Sequence, residues 1–342
     1  MSKNRLVLID GHAVIYRAFY AYPPLNTPSG ELVNAVYGFT SIVLNVIREL
    51  APTHIALAFD LSKPTFRHES FADYKANRAE TPKELTQQID RVREVVETFN
   101  IPIFTKEGFE ADDVIGTICE QVTRKIVSDD KTEIVIVTGD KDAFQLVKDK
   151  DVYGSVGVYI PGRNKFPSTL YDEAEVAHKF EGLTPSQVID LKGLAGDQSD
   201  NIPGVKGVGN KTAIKLLTLF GTVENIYAKM DEILRLSGSS DLARSAQDDK
   251  IDVKSLSILS DAMKVGKSVV EKLVVGRESA FQSKQLATII RDVPLDFELE
   301  KAVVNDYDKK RVLGLFADLG FASLTHKLPN DQAEQNIQEA LF

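Results

Sequence analysis

The chain has 342 residues and a formal net charge of −9, from 41 Lys and Arg against 50 Asp and Glu. Its hydrophobic content of 43% and charged content of 27% exclude a disordered chain and allow two domains with their own cores. The single Cys119 excludes a disulfide framework, and with no apolar run of spanning or signal-peptide length a cytoplasmic protein with no membrane partner is expected.

Arg5 to Ile9 reads as a buried strand that stops at Asp10-Gly11-His12. An amphipathic helix is predicted over 34–50, with Val36, Phe39, Val43, Ile47 and Leu50 on one side. Ile55 to Phe59 is a second strand, ending in Asp60, and Ile134 to Val137 a third, ending in Thr138-Gly139-Asp140-Lys141-Asp142. Apolar strands separated by helices predict a parallel α/β sheet, whose ligands bind at the carboxyl ends of the strands. Between the second and third strands, Lys63 to Arg78 interleaves Lys63, Arg67, Lys75 and Arg78 with Phe66, Phe71 and Tyr74. Its weak periodicity predicts a mobile excursion that is either a solvated loop or a surface for a nucleic-acid strand.

Thr81-Pro82-Lys83-Glu84 predicts a capping box at the start of a helix. Glu110, Asp112 and Asp113 crowd the first turn of the next one. The helix dipole favours acids there, but three together repel unless a cation is shared. Residues 152–160 read as a strand, and Thr184-Pro185-Ser186-Gln187 as a second capping box, after which the chain is mostly helical. Residues 237–254 predict a polar loop, Lys284 to Ile290 and Lys309 to Leu319 predict helices, and a frayed tail is expected from Pro329.

The densest stretch is Gly196 to Ala213, GDQSDNIPGVKGVGNKTA. Asp197 and Asp200 stand three residues apart, so both can face one point. The glycines that follow run directly into a helix start, where backbone N–H groups and the dipole favour an anion. A polar loop before a helix cap explains either half alone; together they point to a cation site beside a phosphate site.

The candidate carboxylates are thus Asp10, Asp60, Glu110, Asp112, Asp113, Asp140, Asp142, Asp197 and Asp200, with no cysteine among them and the histidines scattered. Oxygen ligation of this kind suits Mg²⁺, with Mn²⁺ as a substitute, rather than zinc. The set is sufficient for two ions ~3.5–4 Å apart, the arrangement that serves in-line displacement at phosphorus. The net negative charge argues against a nucleic-acid binder only until such cations reverse the local field.

Asp10-Gly11-His12 with Tyr16-Arg17, the run Tyr74-Lys75-Ala76-Asn77-Arg78, Glu110-Ala111-Asp112-Asp113, Thr138 to Asp142 and the Gly196–Ala213 stretch resemble, in this order, the 5′-nuclease family. The likeness is greatest to the N-terminal 5′→3′ exonuclease domain of bacterial DNA polymerase I, and flap endonucleases are more distant. It implies a PIN-like α/β catalytic domain over 1–172 with a mobile arch at 62–90. A helical helix–three-turn–helix (SAM-like) DNA-binding region follows over 173–328, then a flexible tail over 329–342. It further implies a monomer in the bacterial cytosol that cleaves DNA at 5′ flaps, nicks and 5′ ends, and RNA primers paired with DNA, leaving a 5′-phosphate and a 3′-hydroxyl. By position, Asp10, Asp60, Glu110, Asp112 and Asp140 match ligands of the tighter metal, and Asp113, Asp142, Asp197 and Asp200 the looser side. Arg17, Lys75 and Arg78 match cations around the scissile phosphate, and Tyr74 a base-stacking residue. Gly207 and Gly209, with Lys206 and Lys211, match the duplex-binding hairpin, and the carbonyls of Pro203, Val205 and Val208 suit a K⁺ ion. No polymerase or proofreading module is expected within these 342 residues, which leaves a stand-alone exonuclease and a fragment both open. A catalytically silent junction binder and a PIN-type ribonuclease are the competing functions.

Overall fold

The structure, a computed structural model, describes residues 4–125, 132–149, 154–162, 166–237, 253–331 and 334. They belong to two compact units, one of Met1–Thr65, Glu80–Asp172 and Ile289–Phe342, the other of Phe66–Ala79 and Glu173–Thr288.

The first unit is built on a six-stranded sheet in the order β3-β2-β1-β4-β5-β6. The strands are β1 (Arg5–Asp10), β2 (His54–Ala58), β3 (Ile103–Phe104), β4 (Glu133–Val137), β5 (Ser155–Ile160) and β6 (Thr169–Tyr171). All neighbours pair in parallel except β5 and β6, so the expected parallel sheet carries an antiparallel edge that the sequence reading did not include. β1 and β4 are almost wholly buried, which is why they read as unbroken apolar runs rather than alternating ones. Helices α1 (Gly11–Ala21) and α2 (Asn34–Leu50) pack Val14, Ile15, Val36, Phe39 and Val43 into the main core. The second of these has the predicted bounds.

Helix α4 (Lys83–Thr98) begins with Pro82 as its N-cap and makes no side-chain cap bond there. The first predicted capping box therefore does not form; the Thr81 hydroxyl is hydrogen-bonded to that of Tyr16 instead. Residues 289–328, expected in the helical region, belong to the first unit. Ile55 donates to the Ala302 carbonyl at 2.7 Å and Val304 to that of Thr53 at 3.1 Å, which ties the returning chain to β2. α13 (Lys309–Leu319) then buries Val312 and Phe316 in the main core, as its periodicity predicts.

In the second unit, Phe66–Ser70, within the stretch expected as a mobile excursion, forms a short helix, α3. Arg67 is buried and donates to the carbonyls of Leu286 at 2.9 Å and Thr288 at 2.7 Å. The remaining helices are α6 (Glu173–Lys179), α7 (Val188–Ala195), α8 (Asn210–Phe220), α9 (Val223–Leu236), α10 (Val253–Met263), α11 (Lys267–Val275) and α12 (Arg277–Ala287). The second capping box, Thr184 with Gln187, forms as read. The helix predicted over 284–290 starts earlier and ends at Ala287, because Thr288 is already extended. Of the predicted loop at 237–254, Val253 and Lys254 begin α10 and Ser237 caps α9; the rest lies outside the described residues. The tail beyond Asp331 likewise lies outside them, apart from Glu334, which pairs with Lys309 at 2.6 Å.

Candidate active site

Sheet order brings the predicted acids of the first unit together. β2, β1 and β4 are adjacent and in register, Ile9 facing both Leu57 and Val137. Asp10, Asp60 and Asp140 therefore emerge at one edge, the carboxyl ends of parallel strands. Asp10 is also the N-cap of α1, its Oδ1 accepting the Ala13 N–H at 3.0 Å. Asp60 Oδ1 accepts the Ala111 N–H at 2.7 Å, which seats the start of α5 (Ala111–Lys125), with Asp112, beside it. Exposure grades across the group, from 6% at Asp10 to 42% for the Asp60 side chain, so the cluster has a buried floor and an open mouth.

The electrostatics follow from that placement. Burial, then the charges of Asp60 and Asp140, pushes the Asp10 carboxyl up to about 7 against the bonds from Ala13 and Thr138. Burial also raises Asp112 well above the usual carboxylate range, with further pushes from Asp140, Asp10, Asp60 and Glu110. These five groups thus feel one another's charge through a partly desolvated edge, an arrangement that a bound cation would relieve. Among the described residues no three of them are already drawn together as ligands. The donors are oxygens alone, which fits a hard divalent cation.

Two residues outside the candidate carboxylates join the cluster. Thr138 Oγ1 donates to Asp10 Oδ2 at 2.8 Å and accepts the Asp140 N–H at 3.0 Å, so one hydroxyl ties two strand-end acids. His12 Nδ1 accepts the Asp60 N–H at 3.1 Å, which leaves the imidazole proton on Nε2. Burial lowers the His12 pKa and keeps the ring neutral. The expectation that no histidine partners these acids is therefore corrected. It failed because residues 12 and 60 meet only through strand pairing.

Asp113, expected on the looser metal side, is tied to two backbone N–H groups. It is fully buried; Oδ2 accepts the Glu110 N–H at 3.0 Å and Oδ1 that of Ile290 at 2.8 Å. It caps α5 and fastens the returning segment, whose Val293 N–H bonds Thr117 Oγ1 on the same helix. Asp113→Ala leaves two half-buried N–H groups without this acceptor and should cost about 1–3 kcal/mol in urea unfolding. Asp142, in turn, donates its N–H to Asp140 Oδ1 at 2.9 Å. Arg17 donates to the Pro161 carbonyl and borders a cavity of about 390 Å³ with Tyr22, Asn45, Glu49 and Tyr159.

Asp197 and Asp200 belong to the second unit, where each is paired with cations. Burial raises the Asp197 carboxyl, but Lys192 at 2.5 Å and the Ser199 hydroxyl and N–H outweigh it and hold it at about 2. Its backbone exchanges two hydrogen bonds with Ile202, closing the loop that carries Asp200. Asp200 accepts from Arg78 and from the Tyr74 hydroxyl at 3.3 Å, and Lys75 Nζ lies 4.0 Å away. Lys75 has a left-handed backbone, φ +56, held by its N–H bond to the Asp200 carbonyl at 2.9 Å. The predicted group of Tyr74, Lys75 and Arg78 is thus assembled around Asp200. Tyr74 itself is 3% exposed and packs with Ile202, Leu286 and Ala287, while Lys75 Nζ covers its ring at 4.9 Å. Stacking on a base, the expected role, would need that ring uncovered.

In the glycine-rich hairpin, Gly204 (φ +61) and Gly207 (φ +83) have left-handed backbones, and a Cβ at Gly204 would stand 2.2 Å from the Gly196 nitrogen. Val205 and Val208 are buried, whereas Lys206, Gly207, Gly209 and Lys211 are exposed. Gly209 is the N-cap of α8 and supplies no side-chain acceptor, so the open end of the helix faces outward. The Val205 carbonyl accepts the Val208 N–H at 2.9 Å.

A family described as 5′-3′ exonuclease, N-terminal resolvase-like domain, matches residues 5–181, and one described as 5′-3′ exonuclease, C-terminal SAM fold, matches 183–310. DNA polymerase I of Bacillus caldotenax is 39% identical over 342 residues, 99% of this chain and 34% of that protein. DNA polymerase I of Bacillus subtilis is 37% identical, again over 99% and 34%. The chain thus spans about a third of the length of these relatives. Among solved structures, a T5 5′-exonuclease with bound zinc gives a TM-score of 0.53 at 20% identity, covering 84% of this chain and 100% of that one. The catalytic core of Rad2 in complex with a DNA substrate gives 0.52 at 17%, covering 95% and 91%. At these identities the two structures support the fold alone.

Proposed function

This chain belongs to the 5′→3′ exonuclease family, by its N-terminal resolvase-like domain and its C-terminal SAM fold, and on that premise we propose that it is a structure-selective, divalent-metal-dependent DNA 5′ nuclease. Its substrates are 5′ flaps, nicks and 5′ ends, with RNA primers paired to DNA as a further class, and it acts as a cytosolic monomer. No helix among the described residues is long and apolar enough to cross a membrane. The observation that carries the proposal is the mutually charged group of Asp10, Asp60, Glu110, Asp112 and Asp140.

These five hold the tighter Mg²⁺, or Mn²⁺, and Asp113, Asp142, Asp197 and Asp200 are candidates for the looser side. When bound, such ions supply Lewis-acid activation of water and charge neutralisation at phosphorus. Thr138 and the neutral His12 fix the orientation of Asp10, Asp140 and Asp60, so little reorganisation is left for the reacting state. Lys75 and Arg78 place positive charge for the scissile phosphate, exchanging Asp200 for it, and Arg17 is a candidate for the same strand. The N–H groups of the Gly207–Gly209 hairpin, with Lys206 and Lys211, hold a duplex phosphate. The carbonyls of Pro203, Val205 and Val208 are candidates for K⁺.

The test is a 5′-labelled flap substrate with Mg²⁺ or EDTA, alongside an RNA flap of the same sequence. A short labelled product bearing a 3′-hydroxyl, formed only with the metal, is expected. Tight binding without cleavage in Mg²⁺ and in Mn²⁺ would make the chain a silent junction binder, and cleavage confined to the RNA flap a ribonuclease.

A further inference from the structure

The hairpin is clamped from two helices that the sequence reading did not connect with it. On α12, Ser283 Oγ accepts the Gly204 N–H at 2.9 Å and Ser279 Oγ donates to the Gly204 carbonyl at 2.6 Å. At the α11–α12 junction, Gly276 leaves room for Val205, whose Cγ1 would lie 2.7 Å from a Cβ at that position. On α11, Lys272 Nζ donates to the Gly207 carbonyl at 3.1 Å, and Nζ would lie 3.1 Å from a Cβ on Gly207. The left-handed glycine is thus the place where an ammonium from another helix comes against the exposed hairpin tip, two residues before the N-cap of α8.

We propose that Lys272 is a further DNA-positioning residue, contacting the duplex phosphate beside the one held by the hairpin N–H groups; this rests on the reading of the hairpin as the duplex site. Three features support it. The bond to Gly207 uses one of the three ammonium donors and leaves two for phosphate oxygens. A backbone carbonyl neutralises none of the ammonium charge, unlike the carboxylates that pair with Lys192 or Lys284 in the same unit. And the bond holds a long side chain in place before DNA arrives, which reduces the rotamer entropy lost on binding. Lys272 also differs from Lys206 and Lys211, which extend from the hairpin and helix start themselves: its position depends on the packing of α11.

The test separates holding the turn from holding DNA. Lys272→Gln keeps a donor for the Gly207 carbonyl and loses the charge, while Lys272→Arg keeps both. Binding of the full chain to a labelled nicked duplex is titrated in Ca²⁺ from 50 to 200 mM KCl, with thermal unfolding to confirm that each variant folds. Lys272→Gln should weaken binding about three- to tenfold at the low-salt end and make the slope of log K against log salt shallower by about 0.9. Lys272→Arg should retain affinity and slope. An unchanged slope in Lys272→Gln, with or without loss of affinity, would show that Lys272 only holds the turn and would overturn the inference. Failure of the wild-type chain to bind the duplex would overturn the hairpin reading beneath it, and this inference with it.

Discussion

Asp140→Asn should lower single-turnover flap cleavage at saturating Mg²⁺ by on the order of a thousandfold, and the same variant should be more stable than wild type in EDTA. Both effects come from one charge. Asp140 Oδ1 accepts the Asp142 N–H, and the Asn carbonyl can keep that bond, so the turn after β4 survives the change. Lost is an anionic ligand at a strand end, and a neutral amide is a poor donor for Mg²⁺. Without metal the same charge only adds to the repulsion on Asp112 and Asp10. Cleavage is read on a labelled flap and stability by thermal unfolding in EDTA. Turnover near wild type would remove Asp140 from the metal site. Lost turnover together with lowered stability would mean that the substitution damages the fold instead.

The second large effect is on stability against pH. The Asp10 carboxyl is raised from 3.8 to about 7 in the folded chain, so the native state binds the proton more tightly than the unfolded one. That contribution is complete below the unfolded pKa and disappears as pH rises through about 7. About 3 pH units at about 1.4 kcal/mol each give roughly 4 kcal/mol in all, of which roughly 3 kcal/mol falls between pH 5 and pH 8. Asp10→Asn lacks this share of the slope and keeps that of Asp112, which is raised in the same direction, so urea unfolding in EDTA should find the variant gaining on wild type by up to that amount over this interval. Asp197, held at about 2, contributes stability that is lost only in acid, outside the interval. The lowered pKa values of His12 and His54 act with the opposite sign below 6.5, but do so in both proteins and largely cancel from the difference. Mg²⁺ added at pH 8 should stabilise wild type more than the variant. Parallel curves for the two proteins would show that Asp10 is not the group that titrates.

The sequence by itself determined β1, β2 and β4, because strands buried on both faces must be apolar along their whole length and their polar ends are then conspicuous. It also determined α2 and α13, whose apolar stripes have the helical period, and it marked the strand-end carboxylates and the glycine-rich helix start as candidates, since both are local features. Only the tertiary structure decided which strands are neighbours. The order β2-β1-β4 aligns Asp10, Asp60 and Asp140, and no local pattern encodes pairing across more than a hundred residues. For the same reason Thr138 and His12 lie in noticed runs without a role read for them, since a hydroxyl or an imidazole has a role here only through the residue opposite it. At Asp113 and Tyr74 the sequence shows an acid and an aromatic but not their exposure. Burial turns the one into a cap for two N–H groups and the other into core. Lys272 completes the pattern: nothing in its surroundings along the chain marks it, and its place against Gly207 comes from the packing of α11 on the hairpin.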